Sequence, residues 1–369
     1  MTGLLPLLTL AVLSGAAAST PASDPAAGPA TAVAATDALL RDYQGQVPGA
    51  SVLVLRDGQP LYRRGHGLAD LEAGTAATAQ TNYRLASVSK QFTAAAILLL
   101  AQDGVLSLDD PVTRWLPSLP AAADAVTLRH LLSHASGLID YEDHVPADFQ
   151  GQLHDIDVLH ILEGLDRTYF APGSDYRYSN SGYALLALVV GAASGQDFAS
   201  FLQQRIFQPL GMRDTVAHQD GVDTVARRAY GYSLPVDGRW TRTDQSQTSA
   251  VLGDGGIYSS IDDLARWDAA LYDERLLQAR WRDLMFTPAI ATGEPDVPHY
   301  GMGWRLNGDS HWHSGESIGF RNVIVRWPGE RLTVIVLSNR NDPEPYPLAL
   351  EIARLFRDSG DNRKKAVPL

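Results

Sequence analysis

The stretch ASVSKQFTAAAILLLAQDG occupies residues 86–104 and has the apolar spacing of a buried helix. Its apolar side chains recur at intervals of three and four residues, which places them on one helical face. They are Phe92, Ala95, Ala96, Leu99 and Leu100. Glycine is common just past a helix, so Gly104 marks the end of the pattern. We predict a helix from Ser87 to Asp103.

Ser87 and Lys90 lie three residues apart at the start of this helix. That spacing stacks the two side chains on one face, close enough for a hydrogen bond. Lys90 is also the only lysine before Lys364, and a desolvated lysine can lose its proton where an arginine cannot. The N–H groups of a helix start can stabilise an oxyanion. The alternative is that Ser87 or Ser89 only caps the helix and Lys90 is solvated.

A second polar motif, Tyr178-Ser179-Asn180, follows Pro172-Gly173 and precedes another predicted helix at Tyr183. A phenol close to a cationic lysine can exchange protons with a serine, and an amide can hold a substrate carbonyl. The alternative is a tyrosine that packs its ring beside a serine cap.

The third motif is His313-Ser314-Gly315-Glu316, which leads into two C-terminal strands. Gly315 allows close approach of another chain segment, and an edge-strand N–H at Glu316 is placed to complete an oxyanion hole with the N–H of Ser87. The alternative is a structural histidine.

These three motifs, in this order, resemble those of the serine β-lactamase and penicillin-binding-protein superfamily. The version they resemble is that of class C β-lactamases, DD-peptidases and related esterases. Three longer segments also resemble this superfamily, namely 86–92, 130–138 and 207–212. The resemblance covers most of 37–356.

The resemblance implies that Ser87 is the nucleophile, Lys90 its partner and Tyr178 the general base. It further implies that Asn180 contacts the substrate amide and that the N–H groups of Ser87 and Glu316 bind the oxyanion. An acyl-Ser87 intermediate is then expected, with hydrolysis by water activated at Tyr178. The implied substrate is a small ester, a D-amino-acid peptide or a β-lactam-like amide, including one from the cell wall. No cofactor is implied.

His313 departs from the family pattern, because β-lactamases and DD-carboxypeptidases usually have a lysine there that helps to hold the substrate carboxylate. A largely neutral imidazole weakens that contact. Esterases and D-amino-acid peptidases of the family often have histidine, which shifts the expectation towards ester or peptide hydrolysis. Arg321 is a candidate replacement for the lysine charge.

The predicted fold class is α+β, with an antiparallel sheet built from both chain ends and flanked by helices. Predicted strands lie at 50–55, 61–67, 322–327 and 332–337, the first two joined by an Asp57-Gly58 turn. Further predicted helices lie at 126–133, 183–193, 198–207, 261–272 and 346–356. We expect one domain over 37–360 and a polar tail over 361–369.

Residues 1–18 have the apolar run and small residues of a signal peptide, although no Lys or Arg precedes the run. This pattern predicts export, to the periplasm or as a secreted protein, and the run is too short for a stable membrane span. Residues 19–36 are rich in alanine and proline and are predicted to form a linker.

Composition sets further limits: the chain is 45% hydrophobic and 20% charged, with a formal net charge of -12 and no cysteine. It has no basic cluster before residue 363, which argues against nucleic acid as a partner. The absence of cysteine excludes disulfides, thiolate metal sites and a cysteine nucleophile.

Other interpretations remain open. Gly315-Glu316-Ser317-Ile318-Gly319 matches the nucleophile elbow of α/β-hydrolases, although a predicted strand follows where a helix is needed. His130 and His134 have metal-binding spacing but no accompanying glutamate, so structural histidines are favoured and no metal is expected. A catalytically inactive cell-wall or partner-binding homologue is a further alternative. The glycine-rich segment 253–256 is predicted to be a turn near the site.

Overall fold

The computed structural model describes residues 29–235 and 238–365, and it contains an eight-stranded sheet that joins the two ends of the chain. The helices are α1 (Pro29–Leu39), α2 (Lys90–Gln102), α3 (Leu128–Leu132), α4 (Asp155–Glu163), α5 (Asn180–Ser194), α6 (Phe198–Leu202), α7 (Gln208–Leu210), α8 (Ile261–Ala270), α9 (Ala279–Met285) and α10 (Pro345–Lys365).

The first nine strands are β1 (Ala50–Arg56), β2 (Gln59–His66), β3 (Leu68–Asp70), β4 (Thr75–Ala76), β5 (Tyr83–Arg84), β6 (Val216–Ala217), β7 (Tyr232–Ser233), β8 (Thr241–Arg242) and β9 (Ile257–Ser259). The others are β10 (Ile290–Glu294), β11 (Val297–Tyr300), β12 (Arg305–Asn307), β13 (Ser310–Ser317), β14 (Phe320–Trp327) and β15 (Leu332–Ser338).

The strand order of the large sheet is β10-β11-β12-β13-β14-β15-β1-β2, and every neighbouring pair is antiparallel. The N-terminal hairpin therefore pairs with the C-terminal strands through β1 and β15. This confirms the predicted α+β class and the sheet built from both chain ends.

Both faces of the sheet are covered, because its central strands bury alternate side chains in two different cores. On β1, Leu53 and Leu55 pack with the helices that follow in the chain, whereas Val52 and Val54 pack with α1 and α10. Successive strand residues point to opposite faces, so each face receives its own apolar set. The larger core contains α2 and α5, which position the polar motifs.

The predicted strands and helices are largely present, with small shifts at their ends. The β1–β2 hairpin turns at Asp57 and Gly58, whose φ angles of 52° and 72° suit the tight Asp-Gly turn that the sequence predicted. The helix predicted from Ser87 begins with a 3₁₀ turn at Ala86–Ser89 and becomes α-helical at Lys90. The helix predicted over 198–207 is also real, but its second half is a π-helical turn.

The predicted linker over 19–36 is wrong in its second part, because α1 begins at Pro29. Ala32 and Thr36 are buried against the sheet face that α10 also covers. Alanine is the best helix former, and its small side chain permits close packing, so an alanine-rich segment can dock without large apolar residues. The predicted signal peptide, 1–18, lies outside the described residues.

The predicted polar tail of 361–369 begins inside a helix, since α10 continues to Lys365. Of the helices in the described part of the chain, none is individually long and apolar enough to cross a membrane, while α5 and Phe198–Leu210, bent by 78°, pass that test only as a pair.

Candidate active site

Ser87 is the one residue between Thr81 and Ala101 that is not fully buried. It lies in the first turn of the 3₁₀ segment, where backbone N–H groups have no acceptor within the helix. The preceding residue, Ala86, has a φ of 49°, a conformation that costs energy for any residue with a Cβ. A buried, strained turn thus presents a single hydroxyl and an adjacent free N–H to the surface.

Lys90 lies directly beneath Ser87 and is completely buried. Its Nζ is 3.0 Å from Ser87 Oγ, 2.8 Å from Asn180 Oδ1 and 2.8 Å from the backbone oxygen of Asp254. As an ammonium, each of its three N–H bonds meets an acceptor, which satisfies a charge that would otherwise be costly to bury. The predicted Ser87–Lys90 contact is therefore present.

Carboxyl groups surround the far side of this lysine. Asn180 Nδ2 donates to Glu142 Oε1 at 3.1 Å, and Tyr141 Oη donates to Asp254 Oδ2 at 3.0 Å. Burial raises the pKa of Asp254 well above its ordinary value, and burial together with Asp140 raises the pKa of Glu142. The predicted turn at 253–256 contributes its Asp254 carbonyl to Lys90, so it belongs to the site.

Tyr178 lies across the opening from Ser87. Its ring centroid is 5.0 Å from Lys90 Nζ and 5.7 Å from the guanidinium carbon of Arg305. Among the described residues, no group hydrogen-bonds to its buried hydroxyl. The Tyr178 ring thus lies close to both Lys90 and Arg305, and its hydroxyl is available to a substrate or to the serine.

β13 forms the opposite wall of the opening. An added Cβ at Gly315 would lie 2.0 Å from the backbone oxygen of Leu85, so only glycine allows this strand to approach the Ser87 turn. β12 pairs with β13 only at 310–312, which leaves 313–317 with an open edge on that side. The sequence predicted that Glu316 lies in an edge strand. β13 is instead an internal strand of the sheet, and only its second half, which contains Glu316, has an unpaired edge.

The N–H of Glu316 points to this open edge. The β13–β14 loop has two residues, and its closing pair, Ser317 and Phe320, is a hydrogen-bonded pair. Bonded and non-bonded pairs alternate along an antiparallel ladder, so Glu316 opposite Arg321 directs its N–H away from β14. Two free N–H groups, those of Ser87 and Glu316, therefore border the opening.

His313 lies beneath the wall and is fully buried. Its Nδ1 donates to the Ser314 backbone oxygen at 2.6 Å, and its Nε2 accepts from Tyr300 Oη at 2.9 Å. Burial, and then the charge of Arg305, hold its pKa well below the ordinary value. His313 is consequently neutral and hydrogen-bonded on both sides, so it offers no charge to a substrate.

Arg321 is not a free replacement for the missing lysine charge. Its guanidinium donates to Glu316 Oε1 at 2.6 Å and to the backbone oxygens of Ser317 and Phe320. Arg305 is different: it is partly exposed, donates to Ser314 Oγ at 2.9 Å, and forms no ion pair with any described carboxylate. The cation available at this wall is therefore Arg305.

Comparison with known proteins matches residues 32–357 to the family described as Beta-lactamase. The chain belongs to the beta-lactamase family. It is 33% identical to penicillin-binding protein 4* of Bacillus subtilis over 81% of this chain and 70% of that protein. It is 30% identical to protein flp of Staphylococcus aureus over 81% of this chain, and it spans only 61% of that protein's length.

Among solved structures, the chain is similar to a D-amino acid amidase from Ochrobactrum anthropi SV3 complexed with L-phenylalanine amide. The TM-score is 0.78 at 26% identity, over 90% of this chain and 99% of the other. These comparisons confirm the resemblance that the three motifs indicated, and they place the chain in a family that contains hydrolases.

Two alternative sites are contradicted by the geometry of this family member. Ser317 ends a strand at a two-residue hairpin, whereas a nucleophile elbow requires a strand, a sharp turn and a helix in a parallel arrangement. Each of these histidines uses its Nδ1 in another contact: His130 Nδ1 accepts from the N–H of Thr127 at the start of α3, and His134 Nδ1 accepts from the N–H of Ser179. Within the described residues, no group of three His, Asp or Glu could hold a metal ion.

The sequence reasoning missed four contributors to the site. Glu142, Tyr300 and Arg305 line or support it, and Asp254 contributes through its backbone. Glu142 lies 38 residues from Asn180 in the sequence, Asp254 acts through its main chain, and Tyr300 and Arg305 reach β13 from the nearby strands β11 and β12, so local spacing carried no signal for these contacts.

Proposed function

We propose that this protein is a serine hydrolase that forms an acyl-enzyme at Ser87. The observation that carries the proposal is the 3.0 Å contact of buried Lys90 Nζ with Ser87 Oγ, at the only partly exposed position of its segment. Burial of a lysine costs free energy, and a serine that only capped the helix would not require it. Lys90 also gives the serine a cation that stabilises developing alkoxide charge.

The proposed reaction begins with attack of Ser87 Oγ on the substrate carbonyl carbon. Tyr178 takes the hydroxyl proton as general base, and the new oxyanion lies between the N–H groups of Ser87 and Glu316. Tyr178 then gives this proton to the leaving amine or alcohol as the carbonyl–leaving-group bond breaks. Water attacks the acyl-Ser87 with Tyr178 again as base, which releases the acid and restores the serine.

The proposed substrates are amides or esters of D-amino acids or short peptides. The similarity to a D-amino acid amidase supports this class. Neutral His313 disfavours a strong contact between that position and a β-lactam carboxylate, so we expect weak β-lactam turnover. Where a substrate does carry a carboxylate, Arg305 with Ser314 is the group proposed to bind it, since arginine matches a carboxylate in two hydrogen bonds.

The test is the mass of the intact protein after exposure to a penicillin and, separately, to an activated phosphonate ester. We expect one adduct per chain with the phosphonate, lost in Ser87→Ala and retained in Ser317→Ala, the matched serine at the end of β13. Slow or partial penicillin labelling is expected. Steady-state rates with a D-phenylalanine amide and a matched ester would then rank the two substrate classes.

Adducts lost only in Ser317→Ala would refute the proposal. Failure of both probes to label wild-type protein, combined with no hydrolysis of either substrate, would favour an inactive binding homologue.

A further inference from the structure

The segment His134–Gly137 runs directly beneath the loop that contains Tyr178. Three backbone hydrogen bonds join the two, from Tyr169 N to Gly137 O at 2.7 Å, from Gly173 N to Ala135 O at 2.8 Å and from Arg177 N to His134 O at 3.0 Å. In the sequence, this segment was notable only because it lies in the stretch 130–138 that resembles the family. The contacts give it a specific place under the proposed base.

His134 holds the chain on both sides of Tyr178. Its backbone oxygen accepts from the N–H of Arg177, and its ring Nδ1 accepts from the N–H of Ser179 at 3.1 Å. Its ring also lies against the Tyr178 ring, with centroids 4.2 Å apart and planes 33° apart. One residue therefore fixes the main chain before and after Tyr178 and the plane of its phenol.

The Ser179 contact has a second structural consequence. Ser179 is the N-cap of α5, and its hydroxyl accepts from the N–H of Gly182 at 3.3 Å. α5 begins with Asn180, the partner of Lys90 Nζ. The His134 imidazole thus positions both Tyr178 and the N-terminus of α5, where Asn180 lies.

His134 is suited to this task only while it is neutral. Nδ1 can accept a hydrogen bond only without a proton, so the neutral ring carries its proton on Nε2. The side chain is fully buried, and burial, followed by the charge of Lys90, holds its pKa well below the ordinary value. Its φ of 59° is tolerated by histidine and asparagine better than by most residues.

We propose that His134 is a positioning residue for Tyr178, acting through the Ser179 N–H to Nδ1 hydrogen bond and the ring contact. The inference rests on the proposed function, because it assumes that Tyr178 exchanges protons with Ser87. A displacement of the reacting groups by about 1 Å can cost roughly 100-fold in rate, and loss of this bond frees the loop on one side of Tyr178.

Three variants separate the acceptor from the ring. His134→Phe keeps an aromatic ring but has no acceptor, and His134→Leu has neither. His134→Asn has the shape of leucine, tolerates the positive φ and places an amide oxygen close to the position of Nδ1. His130→Asn, within the preceding short helix α3, is the matched control.

The readout is kcat per Ser87 site titrated with the phosphonate ester, together with the pH profile of kcat/KM. We expect His134→Phe and His134→Leu to lose about 30- to 100-fold in kcat per titrated site with KM changed less than about 3-fold. Their pH profiles should shift, since the phenol environment changes. His134→Asn should recover to within about 5-fold of wild type, and His130→Asn should match wild type.

Equal kcat per titrated site and an unchanged pH profile in the acceptor-free variants would overturn the inference, even if their thermal stability falls. Either His134→Phe or His134→Leu suffices, so the test survives if one does not fold. A wild-type protein that the phosphonate does not label at Ser87 would instead refute the proposed function, which distinguishes the two failures.

Discussion

Replacing Gly315 by alanine should widen the oxyanion hole without changing the chemical identity of any other side chain of the site. The added Cβ would lie 2.0 Å from Leu85 O and 3.3 Å from the Cβ of Ala86. The first neighbour is backbone and cannot rotate away. β13 and the Ser87 turn must therefore separate, and the two N–H groups of Ser87 and Glu316 must separate with them.

The size of the effect follows from these distances. A carbon needs more than about 3 Å from a carbonyl oxygen, so the two segments must move apart by roughly 1 Å. One oxyanion donor is then out of range, which typically costs 10²- to 10³-fold in kcat, about 2.7–4 kcal/mol of transition-state stabilisation. Overpacking of the buried contact should cost about 1–3 kcal/mol of stability as well.

The assay is pre-steady-state acylation with an activated ester, which separates formation of acyl-Ser87 from its hydrolysis. We expect both steps to slow by about 100-fold or more in Gly315→Ala, because each passes through an oxyanion. Gly329→Ala is the matched control, since an added Cβ at this exposed turn glycine meets nothing within 4 Å. It should retain wild-type rates.

A Gly315→Ala protein that is folded and acylates within about 3-fold of the wild-type rate would refute the reasoning. That result would mean that β13 does not supply an oxyanion donor. The reasoning would also be refuted if the loss of activity matched a lower fraction of molecules whose Ser87 can be acylated. The loss would then come from unfolded protein and not from a slower reaction.

Three further predictions concern other contacts of the structure. Asn180→Ala removes one acceptor of Lys90 Nζ and should lower kcat/KM for an amide substrate by about 100-fold, measured by steady-state hydrolysis. Burial lowers the pKa of His311 to about 4, so the unfolded chain binds a proton that the folded chain rejects as the pH falls from about 6.5 to 4. Urea unfolding should show wild type losing stability over this range relative to His311→Phe. Asp268→Ala leaves Arg326, its buried partner at 2.5 Å, without a counter-charge and should lower the free energy of unfolding by about 3–5 kcal/mol in urea titrations.

Each of these predictions has a control or a contradicting result. Equal kcat/KM for Asn180→Ala and wild type would show that Lys90 does not need this acceptor. Parallel pH dependence of wild type and His311→Phe would contradict the lowered pKa. Asp358→Ala, which removes an exposed ion pair, should cost less than about 1 kcal/mol, and a similar cost for Asp268→Ala would contradict the buried-pair argument.

The sequence by itself determined the parts of this protein that depend on local periodicity. The helix after Ser87 was predictable because its apolar spacing matches one turn of a helix, and the spacing of Ser87 and Lys90 sets their contact within that turn. The Asp57-Gly58 hairpin followed from residues that tolerate positive φ. Three ordered motifs also sufficed to indicate the family.

Local composition misled the prediction at α1. An alanine-rich segment without large apolar residues has no strong periodic signal, so it was assigned to a linker. Ala32 and Thr36 are nevertheless buried, because α10 and the sheet supply the complementary surface. Whether such a helix docks depends on its partner, which lies more than 300 residues away in the chain.

The tertiary structure alone decided which charges are free to meet a substrate. The sequence offered Arg321 as a cation near the third motif, but its cross-strand position opposite Glu316 gives it a carboxylate partner. Arg305 had no distinguishing pattern in the sequence, yet β12 begins at this residue, and its side chain reaches Ser314 and the Tyr178 ring. Strand register and strand length determine these pairings, and neither is encoded in the spacing of a motif.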